Sequence, residues 1–194
     1  IEVLEKFKFE EQKGPTLILK EAIGVCGLIT PWNWPLNQVT VKVFPALATG
    51  CTTVLKPPQL APYSAQILAE IMHKAGTPAG VFNMIQGQGS EIGSALSKHP
   101  DVDMISFTGS ETVGIQISKD AADTVKRVGL ELGGKSAWII LDDADMAANV
   151  AAATSGMMVN SGQTCSAGSR LLVPNARMAE AVAAAKAACE AVTV

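Results

Sequence analysis

The sequence predicts an α/β protein in which a parallel sheet carries helices on both faces and leads into the start of a second α/β domain. Short apolar runs of strand length alternate with segments of helical periodicity that are about 10–14 residues long. Glycines stand between these segments, where the chain must turn. Strands that alternate with helices in this way form right-handed βαβ units, whose sheets are parallel and covered on both sides.

The chain opens with a predicted β-hairpin. Its arms are the alternation from Lys6 to Phe9 and the apolar run from Thr16 to Lys20, on either side of Gly14-Pro15. Apolar runs then predict buried strands at 24–29, 51–55, 81–85, 104–107, 125–132 and 137–141. Helical periodicity predicts helices at 36–49 and 64–75, a helix that follows Gly87 and Gly89 and runs through Leu96, and a helix at 111–122 with Ser110 as its N-cap.

The character of the sequence changes near Gly134. An acidic stretch leads into an Ala-rich helix, a polar loop around Cys165, a short strand at 170–173 and a final Ala-rich helix. We therefore expect three parts: a hairpin at 1–22, part of a ligand-binding domain at 23–133, and the N-terminal part of a second domain at 134–194.

Polar and Gly-rich loops follow four of the predicted strands. In order they read PWNWP, KPPQ, QGQGSEIG and FTGSETVG. Parallel sheets bind ligands beyond the carboxyl ends of their strands, and these loops meet at that edge. Ser110, at a helix N-terminus, is placed to contact a phosphate there. The glycines of the third loop do not form a G-x-G-x-x-G fingerprint.

Charge and composition argue against several other classes. The net charge is −3, and the basic residues are spread along the chain, so no footprint for nucleic acid or a membrane surface is visible. Apolar runs are broken before the roughly 18 residues of a membrane span. The four cysteines are far apart and only two histidines accompany them, so no metal site is expected. We expect a cytoplasmic protein.

Three residues are candidates for chemistry. Cys165 lies in a polar loop that favours a reactive thiolate, although an inert structural thiol is the commoner role of a single cysteine. Glu131, flanked by leucines at a strand end, can be partly desolvated and so tuned as a general base, or it can be a surface glutamate at a hinge. Asn33, held between tryptophans and prolines, can donate to an oxyanion or simply form a turn.

Five segments in this order resemble the aldehyde dehydrogenase superfamily: PWNWP, LKPPQLAP, FTGSETVG, LELGGKS and NSGQTCSAGSR. The resemblance runs from about Leu19 to Pro174 and implies a hydrolytic enzyme dependent on NAD or NADP. It implies that the first domain is a Rossmann-like cofactor domain and the second a catalytic domain. It also implies that the hairpin bridges subunits of a homo-oligomer, a dimer or a tetramer.

The resemblance implies a role for each candidate. Cys165 would attack the aldehyde to give a thiohemiacetal, and Asn33 with the Cys165 backbone N–H would hold the oxyanion. Loss of hydride to the nicotinamide would leave a thioester, which water activated by Glu131 would hydrolyse. Glu131 argues against transfer of the acyl group to coenzyme A, because acylating relatives typically lack a base there.

The resemblance also implies the cofactor contacts. They are Ile29, Thr30, Pro31, Trp32, Lys56, Gln59, Gly89, Phe107, Gly109, Ser110, Val113, Leu132 and Gly133. Many NAD-preferring relatives carry Glu where this chain has Gln59. A glutamate there would repel a 2′-phosphate and glutamine would not, so we expect NAD to be the cofactor and NADP to be tolerated.

Members of this family are longer at both ends, so the chain is expected to represent the core of a larger enzyme. The alternative function is a truncated, non-catalytic form that binds nucleotide or pairs subunits. Misplacement of reacting groups by about 1 Å costs ~100-fold in rate, so we expect little or no turnover from these 194 residues alone.

Overall fold

The computed structural model describes residues 2–193. The chain forms two compact units, Ile1–Leu132 and Gly133–Val194.

The first unit begins with a short helix and a hairpin. Helix α1 (Glu2–Glu5) precedes strands β1 (Glu10–Lys13) and β2 (Thr16–Leu19), which pair antiparallel. The predicted hairpin is confirmed, but its first strand begins at Glu10 and not in the alternation before it. The rings of Phe7 and Phe9 instead pack edge to face, with centroids 4.9 Å apart. The Phe9 carbonyl still accepts from the Lys20 backbone N–H at 2.8 Å, directly beyond the paired strands.

The five-stranded parallel sheet confirms the predicted fold class. Its order is β5-β4-β3-β6-β7, and every pairing within it is parallel. The strands are β3 (Val25–Ile29), β4 (Thr52–Lys56), β5 (Phe82–Met84), β6 (Met104–Gly109) and β7 (Arg127–Leu132). The helices between them are α2 (Pro35–Ala48), α3 (Tyr63–Lys74), α4 (Ser94–Lys98) and α5 (Glu111–Ala122), with a π-helical turn at Gly89–Gly93 before α4.

Alternation along the strands divides the side chains between two cores. Leu28 of β3 and Leu55 of β4 pack in one core with residues of α2 and α3. Ile29 and Ile105 pack in the other core with residues of α4 and α5. Successive side chains of a strand point to opposite faces, so a strand that is apolar throughout is stable only when both faces are covered.

The strand order reverses beside β3. From β3 the chain moves through β4 to β5 on one side, and then crosses back to β6 and β7 on the other. The loops that leave β3 and β6 therefore diverge at the carboxyl edge of the sheet. A crevice opens at such a switch point, and α/β proteins bind ligands there.

The second unit contains two strands and two long helices. Strand β8 (Ala137–Ile139) pairs in parallel with β9 (Arg170–Leu172), and helices α6 (Met146–Met158) and α7 (Met178–Glu190) pack against each other. The predicted strand at 137–141 therefore pairs with the predicted strand at 170–173 within the second unit. Asp145 caps α6, because its carboxylate accepts from the Ala148 backbone N–H at 3.0 Å.

No helix within residues 2–193 has the length and apolar character to cross a membrane. The same residues contain no group of three or more His, Cys, Asp or Glu side chains arranged to hold a metal ion.

We expect the substitution Leu55→Ala to lower the free energy of unfolding by about 2–5 kcal/mol, because it leaves a cavity between β4 and the helices. Leu55 is 0% exposed. Urea denaturation followed by circular dichroism measures the change. The matched control is Leu60→Ala, since Leu60 is 82% exposed. Equal losses of stability in the two variants would contradict this account of the core.

Candidate cofactor and active site

A cavity of about 790 Å³ lies at the carboxyl ends of β3, β4 and β6 and extends along α5. This volume is within the range of small-molecule and cofactor sites. Its lining includes most of the residues expected to contact a cofactor: Ile29, Thr30, Pro31, Trp32, Lys56, Gln59, Gly89, Phe107, Gly109, Ser110 and Val113.

Two expected contacts do not line this cavity. Leu132 ends β7, and Gly133 belongs to the second unit. Further lining residues were missed: Pro58, Leu60, Ser90, Gly93, Ser94, Thr108, Thr112, Gln116, Ile117 and Asp120. Helical spacing from Ser110 could have found those on α5, because residues at intervals of three and four share one helix face.

The N-terminus of α5 opens into this cavity. Ser110 caps the helix, with its hydroxyl accepting from the Val113 backbone N–H at 3.5 Å. The first-turn N–H groups of a helix have no partners within it and carry the positive end of its dipole. Ser110 and the turn that follows it are therefore suited to an anionic group such as a phosphate.

Gly109 directly precedes this helix, at a position where there is no room for a side chain. A Cβ atom there would lie 2.4 Å from an atom of the Phe107 ring, which is itself 5% exposed. That distance is shorter than any real Cβ contact, so a side chain would displace the ring from the cavity wall. The backbone at Gly109 can lie close to a ligand because it carries no side chain.

Lys56 places a buried cation at the end of β4. Burial lowers the pKa of its ammonium group. The Nζ atom donates to the Pro57 carbonyl at 3.0 Å. An ammonium has three N–H donors, so this bond leaves capacity for the hydroxyl groups of a ligand.

Two threonine hydroxyls in the cavity wall are buried without a protein partner. The Oγ1 atoms of Thr30 and Thr108 have no hydrogen-bond partner within residues 2–193, and both residues line the cavity. Buried polar groups are nearly always paired in native proteins. These hydroxyls are therefore the groups that a polar ligand in the cavity would pair.

Asn33 and Glu131 both lie at the carboxyl edge of the sheet. Asn33 is half-buried and directly precedes Trp34, the N-cap of α2, whereas Glu131 is exposed on β7. The expectation that leucines desolvate Glu131 is wrong for this chain. Leu130 and Leu132 point into the core, and the period of two along a strand turns Glu131 to the opposite face.

Lys42 faces Glu131 and was missed by the sequence reasoning. Its Nζ donates to the Ser106 hydroxyl at 2.8 Å. Burial lowers the pKa of Lys42, and attraction to the Glu131 carboxylate partly opposes that shift. The available signal was that Lys42 is the one charged residue of the predicted helix 36–49.

The loop before Cys165 has an unusual backbone. Asn160, Ser161 and Gly162 are consecutive residues with φ values of 54°, 56° and 74°. Left-handed conformations are costly for residues other than glycine, and such strain clusters at functional sites. Gln163 closes the loop, with its side-chain amide donating to the Asn160 carbonyl at 3.0 Å.

Cys165 itself lies in a tight turn. The Ala167 backbone N–H donates to the Thr164 carbonyl at 3.1 Å, which makes Cys165 and Ser166 the central residues of the turn. The Cys165 side chain is exposed. A thiol must be accessible to attack a substrate, and this position meets that requirement.

A parallel sheet with a cavity at its switch point and a capped helix N-terminus beside it is the arrangement of nucleotide-binding α/β proteins. Comparison with known proteins narrows this class. The chain belongs to the aldehyde dehydrogenase family, whose family profile matches residues 2–194.

Individual relatives agree with this assignment. The chain is 53% identical over 192 residues to 3-succinoylsemialdehyde-pyridine dehydrogenase of a Pseudomonas species, covering 99% of this chain and 40% of that protein. A mutant of aldehyde dehydrogenase C from Pseudomonas syringae, in complex with NAD⁺ and octanal, is 49% identical with a TM-score of 0.96, over 99% of this chain and 40% of that one.

Betaine aldehyde dehydrogenase from Staphylococcus aureus, in complex with NAD⁺, is 41% identical with a TM-score of 0.93. It is matched over 99% of this chain and 39% of that one. The chain thus spans about 40% of the length of the relatives it matches.

The four cysteines should differ in their rate of alkylation. We expect iodoacetamide at neutral pH to label Cys165 and Cys189, which are exposed, before Cys26 and Cys51, which are buried. Burial also raises the pKa of Cys26 to about 12, so its thiolate is scarce. Peptide mass spectrometry over time measures the order, and labelling in urea serves as the control. Labelling of Cys26 as fast as Cys189 would disprove the burial assigned to it.

Proposed function

We propose that this chain carries the cofactor cavity and the nucleophile of an enzyme that oxidises an aldehyde to a carboxylic acid with NAD or NADP. The observation that carries the proposal is the cavity at the switch point, because its walls contain nearly all the residues that the family resemblance marks for cofactor contact. Membership of the aldehyde dehydrogenase family supports it independently.

The cavity has the groups that a dinucleotide requires. The N-terminus of α5 at Ser110 would hold the pyrophosphate, and Gly109 and Gly89 would let the ligand approach the backbone. Lys56 would donate to ribose hydroxyls, and Trp32 would contact the cofactor. The unpaired hydroxyls of Thr30 and Thr108 gain partners when the cavity is filled.

The chemistry takes place at Cys165. Its sulfur attacks the carbonyl carbon of the aldehyde and forms a thiohemiacetal, whose oxyanion receives hydrogen bonds from the Asn33 amide and the Cys165 backbone N–H. The bound nicotinamide supplies the hydride acceptor. After hydride departs, the substrate carbon is a thioester of Cys165, ready for hydrolysis.

Glu131 completes the reaction as general base. Its carboxylate takes a proton from water as the water attacks the thioester, which releases the carboxylic acid and frees the thiol. Its exposed position gives the carboxylate access to water. The Lys42 ammonium is attracted to the same carboxylate and would help to orient it towards the water.

The relatives act on, or are complexed with, different aldehydes, so this chain is assigned only an aldehyde substrate. A homo-oligomer, dimer or tetramer, in the cytoplasm is part of the same proposal. The hairpin supports the oligomer, because Leu17 and Leu19 are 55% and 54% exposed on a two-stranded sheet.

We expect this chain to bind NAD and NADP with affinities within about tenfold of each other. Gln59 lines the cavity without a charge that would repel a 2′-phosphate. In Gln59→Glu, NADP binding should weaken by about tenfold or more while NAD binding is kept. Isothermal titration of both cofactors measures the ratio. The control Asn37→Asp adds the same charge at an exposed site outside the cavity. A wild-type preference for NAD of several orders of magnitude would refute the role of Gln59.

Acyl transfer tests the nucleophile and the base. With p-nitrophenyl acetate, the Cys165 thiolate should displace p-nitrophenolate and become an acetyl thioester, which mass spectrometry locates on the Cys165 peptide. The variant Cys165→Ala should not acquire this group. The variant Glu131→Gln should lose it more slowly than the wild type, by about tenfold or more, because water is no longer activated.

The control for the base is Glu70→Gln, an exposed glutamate on α3. Acetylation of Cys189 to the same extent as Cys165 would count against Cys165 as the nucleophile. Deacylation at equal rates in Glu131→Gln and Glu70→Gln would remove Glu131 from the proposed mechanism.

A further inference from the structure

One end of the cavity is polar and has no role in the proposed oxidation of the aldehyde. Ser94, Gln116 and Asp120 line it, away from the loop that holds Trp32. Gln116 and Asp120 are four residues apart on α5, and Ser94 begins α4 beside them. Apart from Lys56, Asp120 is the one charged residue among those that line the cavity.

Asp120 is shielded from solvent and has several partners. Its side chain is 7% exposed. One carboxylate oxygen accepts from the Ser94 hydroxyl at 3.0 Å, and the other accepts from the Gln116 amide nitrogen at 2.8 Å. The Lys98 ammonium lies 3.7 Å away, but its side chain is 61% exposed, so water weakens that ion pair.

These bonds decide which atoms of Gln116 and Ser94 remain free to accept or donate a hydrogen bond. An ionised carboxylate can only accept, so the Gln116 amide must turn its nitrogen towards Asp120 and its oxygen away. For the same reason, the Ser94 hydrogen is committed to Asp120, which leaves the lone pairs of the Ser94 oxygen. The free groups are therefore mainly acceptors: the Gln116 amide oxygen, the Ser94 oxygen and the remaining carboxylate lone pairs.

The proposed binding mode brings one end of the dinucleotide here. Its pyrophosphate lies at Ser110, and its nicotinamide must lie towards Trp32, which directly precedes the proposed oxyanion donor Asn33. The adenosine half then follows α5 in the opposite direction. Ten residues of helix from Ser110 to Asp120 span about 15 Å, enough to place the base beside Gln116.

We propose that Asp120, acting through Gln116 and Ser94, makes this end of the cavity selective for a base that donates a hydrogen bond from its 6-position, as the amino group of adenine does. Hypoxanthine has a carbonyl oxygen at the 6-position. This oxygen cannot donate to the oxygens of Gln116 and Ser94 and would be repelled by them. The inference rests on the proposed function, because it assumes that the cavity holds a dinucleotide.

The test is isothermal titration of the full chain with adenosine 5′-monophosphate and inosine 5′-monophosphate. The two share a ribose and a phosphate, so those contributions cancel. The wild type should bind the adenosine nucleotide about tenfold more tightly, which corresponds to ~1.4 kcal/mol. In Asp120→Asn, whose amide can donate as well as accept, the ratio should fall to about threefold or less. The matched control, Asp123→Asn, caps the same helix outside the cavity and should keep the wild-type ratio.

A second variant, Gln116→Met, removes the amide oxygen at an exposed position and should lower the ratio even if Asp120→Asn disturbs the fold. Titration with NAD separates the two proposals. Equal affinities for both nucleotides in a wild-type chain that binds NAD would overturn the base selectivity and leave the proposed function standing. If neither the nucleotides nor NAD bind, the proposed function fails and the selectivity fails with it.

Discussion

Strand β3 has a neighbouring strand on each side and an apolar core on each face. Leu28 enters the core beneath α2 and α3, while Ile29 enters the one beneath α4 and α5. This two-sided burial forces the polar residues that follow β3, β4 and β6 to one edge of the sheet, since neither face can accept them. The cavity exists because those loops diverge where the strand order reverses.

The cavity combines groups of opposite character along its length. The end of α5 at Ser110 and the buried Lys56 are electropositive, as an anionic ligand requires. The far end, at Asp120, is electronegative and presents hydrogen-bond acceptors. A dinucleotide has a matching order of groups, with a charged pyrophosphate in the middle and a base at the end. The unpaired hydroxyls of Thr30 and Thr108 lie in the same walls.

The proposed reacting groups come from both units of the chain. Asn33 follows β3 and Glu131 lies on β7, both in the first unit, and Cys165 lies in a strained loop of the second. The surroundings of Glu131 and Cys165 differ. Glu131 is exposed and interacts electrostatically with the half-buried cation Lys42. Cys165 is presented by local backbone geometry, in which consecutive left-handed residues lead into a tight turn.

The sequence by itself determined the strand and helix alternation, the parallel sheet and the loops that line the cavity, because hydrophobic periodicity and glycine positions are local properties of the chain. It also led from five motifs to the aldehyde dehydrogenase family, to which the chain belongs. Only the tertiary structure decided which residues face each other. Glu131 is exposed because its strand has a period of two, and Lys42 lies near it although 89 residues separate them. The triad of Ser94, Gln116 and Asp120 joins two helices, and no pattern within either helix reveals where the other will pack.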